Sequence, residues 1–382
     1  MFSRKLKELY SRHLNRIVRD RSSPQGAKIS IGGRAFLNFA SNDYLGLANH
    51  PELIDAAEAA MRDFGLGSGA SRLLSGGSIL HKKLEDTIAK IKGTEAARIF
   101  NSGHAANTGI IPSLAGEEDI IFSDELNHAS IVDGCRLSKA KTLVYRHRDT
   151  THLGKLMEKA SAESCRWGKG RYIVVTDTVF SMDGDIAPLK EIHDLCAKHK
   201  ALLYIDDAHG TGVIGDGKGA LAHFSILPKP WIIQMGTFSN ALGSYGGFAT
   251  GSKEVIKWIT NSSRSFLFST ALPPCIVAAS LKSLEIIGKR PYLVEKLWQN
   301  RNRLIRSLAG RGYPAVGETP IIPLRIGDID KTLAASRYLY KKGIYVPAIR
   351  PPTVKEPRLR ITVTAAHSAE DIDSLVHALS GM

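Results

Sequence analysis

From about residue 50 the chain alternates short apolar runs with longer segments whose apolar positions recur at helical spacing. Pro51–Phe64 reads as a helix with alanines and a methionine on its inner face. Runs of strand length follow at Ala97–Phe100, Asp119–Phe122, Thr142–Tyr145, Tyr172–Thr176, Leu202–Ile205, Trp231–Met235 and Gly247–Thr250, several of them separated by helical segments such as Pro188–His199. Nearly continuous apolar strands alternating with helices predict a largely parallel sheet covered on both faces. After Pro273–Pro274 the pattern changes. A long helical stretch runs to about Gly310, and strands at Ile321–Ile326, Ile344–Val346 and Leu359–Val363 then alternate with helices. The reading is an α/β protein: an N-terminal helix and arm over 1–50, a large domain over 51–280 with a mostly parallel seven-stranded sheet, and a smaller C-terminal α/β domain over 281–382. In the arm, Phe2, Leu6, Leu9, Tyr10, Leu14, Ile17 and Val18 follow helical spacing, which predicts a helix that packs or docks by that face.

Length supports the division, because 382 residues exceed the roughly 250–300 that one core fills. No apolar run reaches the roughly 20 residues that cross a bilayer; the longest, near Cys275 to Ile287, is broken by Lys282 and Glu285. A soluble protein is expected. Cys135, Cys165, Cys196 and Cys275 lie far apart with no C-x-x-C pair, which argues against a zinc ribbon or a disulfide framework and for free thiols in a reducing, cytoplasmic setting. The formal charge is 51 − 37 = +14. Nucleic acid is one partner that such a field attracts. However, the basic residues are spread along the chain and no nucleic-acid-binding motif accompanies them. A phosphate-bearing substrate or an acidic carrier protein exploits the same field.

Two glycine motifs mislead. Gly65-Leu-Gly67-Ser-Gly69-Ala70 spells a dinucleotide fingerprint but follows a helix, not a strand. Gly212-x4-Gly217-Lys218-Gly219 nearly spells a nucleotide P-loop but lacks the hydroxyl residue that holds magnesium. More informative is Leu203-Tyr-Ile-Asp206-Asp207-Ala208-His209-Gly210-Thr211-Gly212, where an apolar strand ends in a carboxylate and a histidine follows three residues later. Ligands of open α/β sheets bind beyond the carboxyl ends of strands. Asp206 there suits a cationic ring nitrogen and His209 a phenolic oxygen; taken alone, the pair also reads as a surface aspartate and a turn histidine. Met235-Gly-Thr237-Phe238-Ser239-Asn240-Ala241-Leu242-Gly243 and Ser102-Gly103-His104-Ala105-Ala106-Asn107 are strand-end turns suited to a phosphate. His128 is placed to stack on a ring. Together these turns point to a cofactor site.

The collinear series Ser41-Asn42-Asp43-Tyr44-Leu45-Gly46-Leu47, Gly67-Ser68-Gly69-Ala70-Ser71-Arg72, Asp177-Thr178-Val179-Phe180-Ser181-Met182-Asp183-Gly184-Asp185, Asp206 to Gly212 and Phe268-Ser269-Thr270 resembles the α-oxoamine synthases, fold-type I pyridoxal-phosphate (PLP) enzymes, over nearly the whole chain. Ala348-Ile349-Arg350-Pro351-Pro352-Thr353-Val354 resembles the 8-amino-7-oxononanoate synthase branch more than the 5-aminolevulinate synthase or glycine C-acetyltransferase branches. The resemblance implies a transferase of the biotin pathway that condenses L-alanine with a pimeloyl thioester of CoA or of an acyl carrier protein, working as a homodimer. It implies that His128 stacks on the pyridine, Asp206 pairs with its nitrogen, and His209 and Ser181 address the ring oxygen. Gly103, His104, Thr237 and, across a dimer interface, Thr270 would hold the phosphate. Asn42 and Arg360 would hold the amino-acid carboxylate, and Thr353 and Arg16 would meet the acyl group. His104 departs from the family's Gly-aromatic pair, and the segment between Thr353 and Arg358 is shorter than the family's loop.

The weightiest departure is Asn240, which stands where the family has the lysine that links covalently to the cofactor. An amide neither forms that link nor removes a proton from Cα. The residues therefore describe an enzyme scaffold that is inactive or trapped. The alternative is a noncatalytic homologue that pairs with a lysine-bearing partner.

Overall fold

The computed structural model describes residues 2–162, 170–313 and 317–382; Cys165 lies outside them. Residues 50–180 and 186–294 form one compact unit, and 1–49, 181–185 and 295–382 form the other. The segment 1–50, set apart as an arm in the sequence reading, thus groups with C-terminal residues. The large unit extends to 294 rather than 280.

The larger unit is built on a seven-stranded sheet ordered Ala96–Phe100, Gly247–Gly251, Ile232–Thr237, Leu202–Asp206, Tyr172–Asp177, Ile120–Asp124, Lys141–Tyr145. The five strands from Ile232–Thr237 to Lys141–Tyr145 are parallel to one another, and Gly247–Gly251 runs antiparallel to both of its neighbours. Helices Gly103–Leu114, Ala129–Leu137 and Lys253–Ser262 supply one apolar layer, whose core includes Ile110, Ile131 and Ile256 with Phe100, Tyr204 and Ala249 of the sheet. Ile79–Ile91 and Pro274–Lys289 supply the other, where Leu84, Ile88, Val277 and Leu284 meet Ile99 and Phe248. The neighbours Ile99 and Phe100, like Phe248 and Ala249, thus enter opposite layers, as the two-residue repeat of a strand requires. With both faces covered, these strands need apolar residues throughout.

In the smaller unit, Lys28–Ile31 and Arg34–Asn38 form a hairpin closed by Gly32 and Gly33, both at positive φ, as a two-residue turn that follows strand twist demands. Arg34–Asn38 also pairs in parallel with Ile344–Tyr345. A second sheet places Arg358–Thr362 between Ile321–Arg325 and Ala348–Ile349. Leu304, Ile322, Leu359, Ile361, Ile372 and Leu375 fill its core.

Two expectations are corrected. The helical stretch after Pro273 is two helices, Pro274–Lys289 and Tyr292–Ala309, because Pro291 has no N–H to continue the ladder. The N-terminal helix spans Phe2–Ser11 alone, and none of its residues is buried. It ends where His13 takes positive φ, and beyond that point the Arg350 guanidinium takes the carbonyls of His13 and Asn15, the first at 2.6 Å. Ile17 and Val18 stay exposed. The two glycine motifs are structural, since Gly65 ends the helix Pro51–Phe64 at positive φ and Gly212–Gly219 closes a turn around Asp207.

Candidate active site

Asp206 closes the strand Leu202–Asp206 and is 3% exposed. Its Oδ2 accepts from Asn107 Nδ2 at 2.7 Å and its Oδ1 from the Ala208 N–H at 3.0 Å. Burial pushes its carboxyl above the ordinary range, while the Asn107 and Ala208 donors and nearby His128 pull it back. Asn107 lies one helical turn beyond Gly103, on the same face of the helix Gly103–Leu114. Its Nδ2 also donates to Ser130 Oγ at 2.8 Å, and its Oδ1 accepts the Tyr204 hydroxyl at 2.7 Å, which settles the direction of the amide. Tyr204 sits two residues before Asp206 and so shares its side of the sheet.

Asp177 ends the neighbouring strand in register with Asp206 and is 4% exposed. It accepts the His128 N–H at 2.6 Å. Burial, with the Asp206 charge beside it, pushes Asp177 well above the carboxylate range. Adjacent buried carboxylates resist double ionisation; of the two, Asp206, with the Asn107 and Ala208 donors on its oxygens, is the better placed to carry the charge. His128 caps the helix Ala129–Leu137; its Nδ1 accepts the Ser130 N–H at 3.2 Å, and the side chain is exposed.

Two strand-end turns flank this carboxylate. Ser102 caps the helix Gly103–Leu114, its Oγ accepting the Ala105 N–H at 3.0 Å. The Gly103 and His104 N–H groups belong to the first turn, which has no intrahelical acceptors. A Cβ on Gly247 would stand 2.8 Å from Gly103 N, so the adjoining strand starts with glycine where it passes this helix end. In the other turn, Thr237 donates its hydroxyl proton to Gly246 O at 2.7 Å and accepts the Ser239 N–H at 3.2 Å. Thr237 therefore braces the turn, and the neighbouring exposed Ser239, whose Oγ lies 2.6 Å from Thr237 Oγ1, is the hydroxyl it presents. Thr270 is exposed; its carbonyl accepts from Asn101 Nδ2 at 2.9 Å.

Asn240 is half-buried and bonded to protein. Its Nδ2 donates to Ala208 O at 3.0 Å and lies 3.4 Å from His209 Nδ1. The structure thus brings Asp206, His209 and Asn240 into one turn cluster.

The smaller unit holds the remaining residues named from the sequence. Arg360, 5% exposed, donates to Ser181 O at 2.5 Å, Thr362 Oγ1 at 3.0 Å and Asn42 Oδ1 at 3.0 Å. Tyr44 of the same motif is pushed up to about 12 by burial, with Arg360 opposing. Arg16 reaches Pro351 O at 3.3 Å, and the Thr353 N–H donates to Arg350 O at 3.1 Å, which puts both on one exposed loop. Asn107 and Asp177 stood in the sequence motifs without a role, and Tyr204 and Ser130 were unmarked. The helical interval from Gly103 and the two-residue interval to Asp206 are the signals that point to Asn107 and Tyr204.

The profile of the class I and II aminotransferases matches residues 34–379. The chain is 51% identical to a putative 8-amino-7-oxononanoate synthase of Thermodesulfovibrio yellowstonii, over 100% of this chain and 97% of that one. It is 46% identical to the 8-amino-7-oxononanoate synthase of Geotalea daltonii, over 99% and 96%. Among solved structures it resembles a serine palmitoyltransferase from S. paucimobilis with a bound PLP–myriocin aldimine, with a TM-score of 0.92 and 27% identity over 100% of this chain and 96% of that one. The 8-amino-7-oxononanoate synthase of Francisella tularensis matches with a TM-score of 0.78 and 25% identity, over 91% and 97%.

Proposed function

Given that the chain belongs to the class I and II aminotransferase family, we propose that its larger unit holds PLP without a covalent link. Its scaffold is that of a decarboxylating C-acyltransferase acting on L-alanine and a pimeloyl thioester in biotin synthesis, with turnover blocked at Asn240. The observation that carries this reading is Asp206, a buried carboxylate whose described partners are the neutral donors Asn107 and Ala208. A protonated pyridine nitrogen is the cation that fits it. The full-length relatives named as 8-amino-7-oxononanoate synthases support the choice of substrates.

When bound, the cofactor supplies an electron-withdrawing ring that accepts the electron pair left at the substrate Cα. The protein's share is binding, orientation and proton transfer. Asp206 keeps the proton on the ring nitrogen, with Asn107 holding the carboxylate in place. His128 presents a flat ring for stacking, and His209 addresses the ring oxygen, as does Ser181. The first-turn N–H groups of Gly103 and His104, with the Thr237–Ser239 turn, take the phosphate. Arg360 with Asn42 suits the alanine carboxylate, since a guanidinium binds a carboxylate in a fixed, planar geometry. Thr353 and Arg16 meet the acyl group. At position 240 the amide lone pair is delocalised, so Asn240 is neither nucleophile nor base. Loss of general-base catalysis alone removes about 10²–10⁴-fold in rate.

A homodimer is the working form in this reading. Leu66, Leu73, Leu74 and Phe268, all more than half exposed on the larger unit, support a surface covered by a second chain, to which Thr270 contributes. The free, buried Cys135, Cys196 and Cys275 suit the cytoplasm. No helix of the described residues is long and apolar enough to cross a membrane.

The test compares this chain with Asn240→Lys. PLP is expected to bind both, and borohydride to fix it only to Asn240→Lys. Mass spectrometry of a reaction of L-alanine with pimeloyl-CoA should find product for that variant alone. Equal turnover by the two chains would refute the role of position 240. No turnover by Asn240→Lys would refute the acyltransferase, and turnover of glycine with succinyl-CoA would move it to another branch. Asn240 also favours a second reading, a noncatalytic subunit paired with a lysine-bearing homologue. Co-purification with such a chain would support it, and a stable homodimer in the native host would count against it.

A further inference from the structure

Lys92 closes the helix Ile79–Ile91, yet its side chain turns inward and is 0% exposed, as is that of Asp207. All three ammonium protons have acceptors: Asp207 Oδ2 at 2.7 Å, Thr211 Oγ1 at 2.7 Å and Lys218 O at 2.9 Å. The Asp207 carboxylate is equally engaged. Thr211 Oγ1 donates to its Oδ2 at 2.9 Å, and Thr178 Oγ1 and the Ala220 N–H donate to its Oδ1 at 2.7 and 3.2 Å. The chain wraps this carboxylate closely. A Cβ on Gly219 would stand 1.9 Å from Asp207 Oδ2, and one on Gly210 would stand 2.1 Å from Oδ1. The backbone around it is tied as well, the Asp207 N–H donating to Met235 O at 2.7 Å and the Thr178 N–H to Asp206 O at 2.9 Å.

Two facts set this pair apart from ordinary core packing. A buried ion pair is seldom more stabilising than apolar residues of the same volume, and its best-attested use is to specify one arrangement. Its position is also particular: Asp207 follows Asp206 and precedes His209 by two residues. The residue that Lys92 grips is therefore the hinge of the turn that carries both ring-facing groups.

We infer that the Lys92–Asp207 ion pair is a positioning device for the cofactor turn, fixing the backbone from which Asp206 and His209 meet the pyridine ring. Both side chains are fully buried. The pair acts through the turn. This rests on the reading that the turn binds PLP, so the experiment separates the two failures.

The experiment titrates PLP into the full chain, Lys92→Met, Asp207→Asn and the double variant Lys92→Met/Asp207→Asn. It follows affinity by equilibrium dialysis and ring orientation by the circular dichroism that the protein induces in the bound cofactor at saturation. All measurements are made where far-ultraviolet spectra show an intact fold. The double variant leaves no unpaired buried charge, so it decides the matter even where a single variant does not fold. The expected result is an affinity about tenfold or more lower, by analogy with the loss of a group that orients a metal-ligating residue, together with an altered induced band at saturation. A double variant with the parent's affinity and the parent's band would overturn the positioning role, whatever its melting temperature. Failure of the unsubstituted chain to bind PLP would instead overturn the cofactor reading itself.

Discussion

Replacing Asn107 by alanine tests the carboxylate site at its least obvious member. The side chain is 1% exposed and joins three groups: it donates to Asp206 and Ser130 and accepts from Tyr204. Alanine leaves the Tyr204 hydroxyl, itself 0% exposed, without that acceptor, a loss of about 1–3 kcal/mol. It also removes a hydrogen bond to a charged group, about 1.5–3 kcal/mol more. The sum, roughly 2.5–6 kcal/mol, is a large part of the 5–15 kcal/mol that holds a typical domain. The cost depends on pH. Asp206 already sits above its ordinary range because it is buried, and the Asn107 donor is the strongest influence holding it down. Without Asn107 it rises further, so the folded state binds more protons than the unfolded state over a wider range. By linkage, stability is then present below the unfolded carboxylate value of about 4 and is lost as pH rises. Urea unfolding of Asn107→Ala should therefore show a deficit that grows as pH rises above the unfolded carboxylate value of about 4. Thr108→Ala, on the same helix and bonded only to His104 O among its described partners, is the control and should stay within about 0.5 kcal/mol of the parent. A deficit below 1 kcal/mol, or one independent of pH, would refute the claim that Asn107 holds Asp206 as an anion.

Other outcomes follow from other residues. Glu85, 4% exposed, binds Arg72 at 2.9 Å and Arg98 at 2.8 Å; Glu85→Ala should cost about 3–5 kcal/mol by chemical denaturation, and a loss under 1 kcal/mol would contradict the account. Burial pushes the His367 imidazole from its ordinary 6.5 down to about 4. A histidine held neutral in the fold stabilises above pH 6.5, and the contribution, about 3 kcal/mol, is lost as pH falls toward 4. Asp43, raised to about 6 by burial, works in the opposite direction. The difference between parent and His367→Asn isolates the imidazole, and it should change between pH 7 and 4.5 rather than stay flat. In the Asn240→Lys background, Arg360→Met should raise KM for L-alanine by about 10–100-fold, from the 1.5–3 kcal/mol of a charged hydrogen bond, and leave that for the thioester unchanged. An unchanged alanine KM would remove Arg360 from the carboxylate.

The strands and the turns at their ends, with the strand-end placement of Asp206 and His209, were legible because each is a local matter; Asn240 stood out only through the family resemblance. Apolar runs of strand length and glycines after a strand leave their mark within ten residues of chain. The helix boundaries were less legible where a distant group intervenes. The apolar spacing of Phe2 to Val18 describes a continuous face, yet the helix ends at Ser11, His13 takes positive φ, and Arg350 holds the carbonyls of His13 and Asn15 outside it. The spacing named a face but carried no information about what covers it.

The partnerships inside the site belong to the tertiary structure. Asn107 meets Tyr204 and Asp206 across 97 and 99 residues, and Lys92 meets Asp207 across 115. Asp177 faces Asp206 only because two strands align in that register. A strand-end carboxylate in the sequence announces that a ligand edge exists. Whether it is an anion, which amide holds it and which lysine fixes its turn depend on burial and register. Those are properties of packed layers, because desolvation and hydrogen-bond geometry arise only when distant segments exclude water together.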